Sequence, residues 1–146
     1  MDIRKRKIIN KAFAEKGIDN VIKWDIQKIK NEQEIRIEFI SKDSNNRQGV
    51  WLKTDNGIEI PVGNNEIHPG ILLWEDTAPK EVTFKCYTND GFLSIYNVWD
   101  KGGGKQSQAY SSGMLIEELE GTLIYRCNDF GFETDFSDLV FSIDKI

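Results

Sequence analysis

Apolar residues recur near helical spacing at the start of the chain, at Ile3, Ile8, Ile9, Ala12 and Phe13, with cations between them. Gly17 stands where a left-handed cap would close such a helix, so the pattern predicts one amphipathic α-helix over residues 1–17. After Gly17 the period changes to two. Ile22, Trp24 and Ile26 alternate with Lys23 and Asp25, and Ile35, Ile37 and Phe39 alternate with Arg36 and Glu38. These are half-buried strands. Val50 and Leu52 lead to Asn56-Gly57, a tight-hairpin signal, and Ile58, Ile60 and Val62 follow. Val82, Phe84 and Cys86 run up to a second hairpin signal at Asn89-Asp90-Gly91, and Leu93, Ile95, Asn97 and Trp99 share one face beyond it.

Ile71 to Trp74, Met114 to Leu119, Leu123 to Cys127 and Leu139 to Ile143 supply further strands. About nine short strands with a single helix at the start describe a mainly β chain, an antiparallel β-sandwich or barrel. Residues 1–146 read as a single domain, the β-rich body running over 20–146. Lys101 to Gly113, with three consecutive glycines, reads as a mobile loop. No fixed repeat is visible, which disfavours a solenoid or propeller.

Charge divides the chain. Residues 1–30 carry nine basic and four acidic side chains, and residues 31–146 carry ten basic and twenty acidic, giving −5 overall. The basic cluster Arg4-Lys5-Arg6-Lys7 reads as the solvated face of the helix, and the acidic body would repel a nucleic-acid backbone. No apolar run is long enough to span a bilayer, and the start lacks a secretory pattern, so a soluble cytoplasmic protein is expected. Cys86 and Cys127 then read as reduced core thiols rather than a disulfide.

Candidate chemistry is sparse. His68, the single histidine, precedes Pro69-Gly70 in an apparent turn and reads as a surface residue, not a base or metal ligand. Gly102 to Gly104 lack the lysine and helix of a phosphate loop. Asp129, Glu133, Asp135 and Asp138 could offer oxygen to calcium, but their spacing lacks the glycine and terminal glutamate of a calcium loop. No metal and no cofactor is expected. Paired carboxylates could also serve a hydrolase, a weaker reading because so many candidates exist. Asp135 and Asp138 equally suit turn formation, by accepting backbone N–H groups. Trp24, Trp51, Trp74 and Trp99 sit in strand-like settings suited to core packing.

Asn97-Val98-Trp99-Asp100, the glycine-rich stretch, Ser112-Gly113-Met114, Tyr125 to Asp129 and Asp135 to Phe141 together resemble small acidic bacterial immunity proteins, the antitoxins of polymorphic toxin systems. The resemblance covers Leu72 to Ile146. It implies a non-enzymatic protein that binds and neutralises a cognate toxin domain, a basic one such as a nuclease, through an acidic surface. On that reading Asp100, Asp129, Glu133, Asp135 and Asp138 supply charge, Trp99, Tyr110 and Phe130 are anchors, and the protein is a monomer or weak homodimer without nucleic-acid or membrane partners. The alternative is a carbohydrate-binding β-sandwich that stacks sugars on exposed aromatic residues.

Overall fold

The period-two segments do form strands. A computed structural model describes residues 7–60, 66–107, 112–129 and 135–146. Within these lie eleven strands: β1 (Ile8–Ile9), β2 (Ile22–Lys28), β3 (Gln33–Lys42), β4 (Arg47–Glu59), β5 (Ile67–Trp74), β6 (Glu81–Cys86), β7 (Phe92–Asp100), β8 (Lys105–Ser107), β9 (Gly113–Leu119), β10 (Thr122–Asn128) and β11 (Leu139–Lys145). Neighbours pair in the order β2, β9, β10, β11, β3, β6, β4, β7, and β7 returns to β2, all antiparallel. The result is a closed eight-stranded barrel, with β1, β5 and β8 attached outside the ring. Closure leaves the ring itself without a free edge.

Alternation explains the core. Ile35, Ile37 and Phe39 from β3, Val50 and Leu52 from β4, Leu93 and Ile95 from β7 and Phe141 and Ile143 from β11 are all buried in one cluster. Each such side chain contributes about 1.5–3 kcal/mol by leaving water. Tyr125 stacks on Phe141 across the β10–β11 pair, with ring centroids 4.7 Å apart. Cys86 and Cys127 are free and buried in the same cluster. Burial pushes the Cys86 thiol up to about 12 and raises Cys127 as well, so neither is a ready nucleophile.

The expected helix over residues 1–17 does not form in the described part of that span. Ile8 and Ile9 are strand β1, and Lys11–Lys16 make a 3-10 helix. Asn10 caps it by accepting the Ala12 N–H, and Gly17 closes it at a φ of 76°. Phe13 is the buried residue of this segment, packed 5.4 Å from Phe136 and beside Val21. A six-residue piece with one buried anchor gains too little from helix propagation, and the β-branched pair Ile8-Ile9 prefers the edge of β2.

Neither glycine turn signal makes a hairpin. Strand β4 runs straight through Asn56-Gly57 with a bulge between Lys53 and Ile58, where Thr54 Oγ1 bonds both the N–H and the C=O of Gly57. On its far side β4 pairs first with β7 and then with β6, so these two strands lie end to end along one edge of it. The kink between them holds Asn89-Asp90-Gly91. The Asp55 carboxylate accepts the N–H groups of Asn89 and Asp90, and Tyr87 N–H bonds the Gly57 carbonyl, so bulge and kink bend together. Positive φ at Gly57 and Gly91 serves a paired bend here as well as it would a turn, and such bends are what curve a sheet into a barrel.

Two further expectations change. His68-Pro69-Gly70 is not a turn but the start of β5, which pairs with β4 alone. Proline is tolerated on such an edge because no neighbour needs its N–H. The stretch after Asp100 turns back on itself, and β8 pairs with β7 through Asp100↔Lys105 and Val98↔Ser107. Asp100 Oδ1 accepts the N–H groups of Gly102 and Gly104 and so closes that turn.

Candidate functional site

The residues singled out from the sequence are placed unequally. Trp99 lies inside the barrel, 1% exposed, with its Nε1–H donating to Gln106 Oε1. Asp129 and Asp138 are also buried. Asp129 Oδ2 accepts from Ser44 Oγ at 2.8 Å, Asn46 Nδ2 at 3.0 Å and Gln48 Nε2 at 2.9 Å. Asp138 Oδ2 accepts the Asp129 N–H, a bond between residues nine positions apart rather than within a local turn. Asp135 is exposed and accepts from Ser137 Oγ, and Asp100 is spent on the glycine turn. Tyr110, Phe130 and Glu133 fall outside the described residues. Burial thus removes Trp99, Asp129 and Asp138 from the accessible surface, because the barrel end closes around uncharged donors. Among the expected residues that are described, Asp135 is left as the exposed carboxylate.

Around Asp129 the interior is polar. Gln48, Asn97 and Asn128 are each at most 1% exposed, and Asn97 Nδ2 donates to the Asn128 carbonyl. Gln48 Oε1 and Asn97 Oδ1 accept nothing in the structure. Their amide nitrogens are committed to Asp129 and to a backbone carbonyl, which fixes which way each oxygen faces.

A third buried carboxylate was not visible in the sequence. Alternation places Asp25 outward, yet Asp25 pairs with Ile95 on the inner face and is 0% exposed. Its Oδ2 accepts from Tyr125 Oη at 2.6 Å and from Gln27 Nε2 at 2.8 Å. Oδ1 is left by both of these donors and pairs with Lys7 Nζ at 2.9 Å. Burial, and then the Asp25 charge, raise the Tyr125 phenol well above its usual range and keep it a donor. The inward turn of Asp25 also sends Trp24 to the outer face, against Tyr96.

That outer face carries a row of aromatic residues on adjacent strands. Trp24 on β2, Tyr96 on β7 and Trp51 on β4 follow one another at ring separations of 5.5 and 6.5 Å, all partly exposed. Two glycines seat the neighbouring indoles. A Cβ on Gly70 would lie 2.6 Å from Trp51 Cζ2, and one on Gly49 would lie 2.9 Å from Trp74 Cε3. The rings therefore lie against bare backbone. Lys105 Nζ sits 5.1 Å from the Trp51 ring centre, and Arg47, held by Asp76, sits 4.3 Å from that of Trp74. Sequence reasoning weighed these tryptophans as core; the signal missed was the glycine opposite each indole.

Among the described residues no cluster of three or more His, Cys, Asp or Glu side chains is placed to hold a metal ion, and no helix is long and apolar enough to cross a membrane. No protein-family model matches the chain, and no curated protein matches it.

Proposed function

We propose that this chain is a non-enzymatic immunity protein that docks and neutralises a bacterial toxin domain, with the outer aromatic row as its anchor. The row Trp24, Tyr96, Trp51 carries this reading. Trp and Tyr, with Lys105 over Trp51 and Arg47 over the nearby Trp74, are the residue types that dominate binding energy at protein interfaces. Their strands belong to a closed barrel, so the platform is rigid and little ordering entropy is lost on docking. The acidic body, with Asp135 and the exposed Glu117, Glu118 and Glu120, supplies long-range attraction for a basic partner. The resemblance described above points to the same class of partner.

The test is co-expression with the C-terminal domain of the neighbouring open reading frame, scoring survival and co-purification. Survival with a stable complex is expected, and Trp51→Ser with Tyr96→Ser should abolish both while the barrel stays folded. A folded double variant that still rescues would move the interface elsewhere. The same row supports a second reading, sugar stacking, because partly exposed rings on neighbouring strands suit a glycan. A tryptophan-emission shift with a glycan panel, in the absence of any toxin complex, would favour it.

A further inference from the structure

Asp25 is a carboxylate in the core of a barrel, and such a group is tolerated only when its charge and lone pairs are met. Half of that requirement is built into the ring. Tyr125 on β10 and Gln27 on β2 both donate to Oδ2 and leave Oδ1 pointed at a place for a cation. The cation comes from outside the ring. Lys7 is 45% exposed along its side chain, so its stem runs from solvent to the buried oxygen. It stands just ahead of β1, a strand of two residues that are 43% and 51% exposed and whose register with β2 is irregular. Next to it the ring is thinnest, since β2 and β9 are joined through the single pair Ile22↔Met114.

We infer that Asp25, Gln27 and Tyr125 form a binding site for a primary alkylammonium group, and that Lys7 fills it in the free protein as an exchangeable internal ligand. A carboxylate oriented by two neutral donors accepts an ammonium as a point charge on a slim stem, which a planar guanidinium or a quaternary ammonium does not match. The group can arrive on a small free amine or on a lysine side chain that another protein presents. This inference concerns the seam of the barrel and stands whether or not the outer aromatic row binds a toxin.

Lys7→Ala in the full chain empties the site, and n-butylammonium has the length of the removed side chain. Thermal unfolding is followed by far-ultraviolet circular dichroism with n-butylammonium, with a lysine-containing tripeptide blocked at both ends, and with tetramethylammonium at equal ionic strength. At about ten times its dissociation constant n-butylammonium should raise the midpoint of Lys7→Ala by roughly 3–6 °C, saturably. Wild type, whose site is filled, and the double variant Lys7→Ala/Asp25→Asn should move no more than with tetramethylammonium. If Lys7→Ala is unfolded at the outset, n-butylammonium must restore the barrel signal, and failure to do so overturns the inference. A response to the amine alone assigns free amines as ligands, and a response to the peptide as well assigns lysine side chains. Equal shifts with all three additives, or the same gain in the double variant, would reduce Lys7 to an ordinary ion pair.

Discussion

Asp25 and Asp129 are buried carboxylates of one barrel, yet they are served in opposite ways. Asp129 Oδ2 is met by the hydroxyl of Ser44 and the amides of Asn46 and Gln48, all on the segment that leads into and begins β4. Asp25 is met by two donors from the ring and by Lys7, which immediately precedes the slightest strand of the fold. The difference shows where the molecule is fixed and where it is open to exchange. Donors that belong to one continuous segment cannot leave separately, whereas the inferred exchange asks only that a lysine held ahead of a two-residue strand let go.

The largest effect should come from Asp129. Asp129→Ala strands three donors, one of them on the fully buried Gln48, and should cost about 3 kcal/mol in urea unfolding, near 10 °C in midpoint. The loss of these three neutral contacts should itself be insensitive to salt. A cost below that of Lys7→Ala would reverse the comparison.

Tyr125→Phe tests the fixed half of the Asp25 site while keeping the stack on Phe141. Removing a hydroxyl that donates to a carboxylate should cost about 2 kcal/mol. The pH dependence follows from its sign. The folded phenol is raised above the usual 10.0, so its contribution is complete below pH 10 and is lost as pH rises from there toward the folded value. The variant should therefore start lower and fall less steeply than wild type above pH 10; parallel curves would mean that Tyr125 does not protect Asp25.

Lys7→Ala should cost less, about 1 kcal/mol, provided that water enters along the path of the half-exposed lysine and meets the Asp25 charge in its place. Unlike Asp129→Ala, its effect should shrink as salt is raised from 0.05 to about 0.5 M. A salt-independent loss would place Lys7 among the fixed partners and erase the contrast.

These carboxylates also mark the limit of what the sequence discloses. Period-two alternation reads the mainly β antiparallel class and most strand cores, since Ile35, Ile37 and Phe39 obey it and are buried. The helix expected around Ile8 and Phe13 depended on spacing, intervening cations and the Gly17 cap, none of which says whether a partner surface exists for each apolar residue. Asn56-Gly57 and Asn89-Asp90-Gly91 specify backbone that bends, but whether a bend reverses the chain depends on which strands lie beside it, a tertiary fact. Asp25 was hidden for the same reason. Its inward face is set by pairing with Ile95 on β7, seventy residues away, and a local pattern cannot register that. The aromatic row was half legible: the indoles are plain in the sequence, while Gly49 and Gly70 beneath them become meaningful once β4 and β5 are aligned.

An exposed third carboxylate supplies the reference for the other two and the smallest expected change. Asp55 lies in the β4 bulge, where slight burial alone would raise its pKa. Hydrogen bonds from Thr88 and from the N–H groups of Asn89 and Asp90 outweigh that and hold it below the usual 3.8. A depressed carboxylate stabilises the fold fully above its unfolded pKa and loses that contribution as pH falls through the folded value. Asp55→Asn should therefore cost about 0.5 kcal/mol at pH 7, discounted for its exposure, and nothing at pH 2. Urea unfolding at both pH values reads the difference directly. If Asp55→Asn matched Asp129→Ala at neutral pH, the joint between the β4 bulge and the β6–β7 kink would rank with the buried carboxylates, and burial would no longer be what separates strong from weak carboxylate contacts in this barrel.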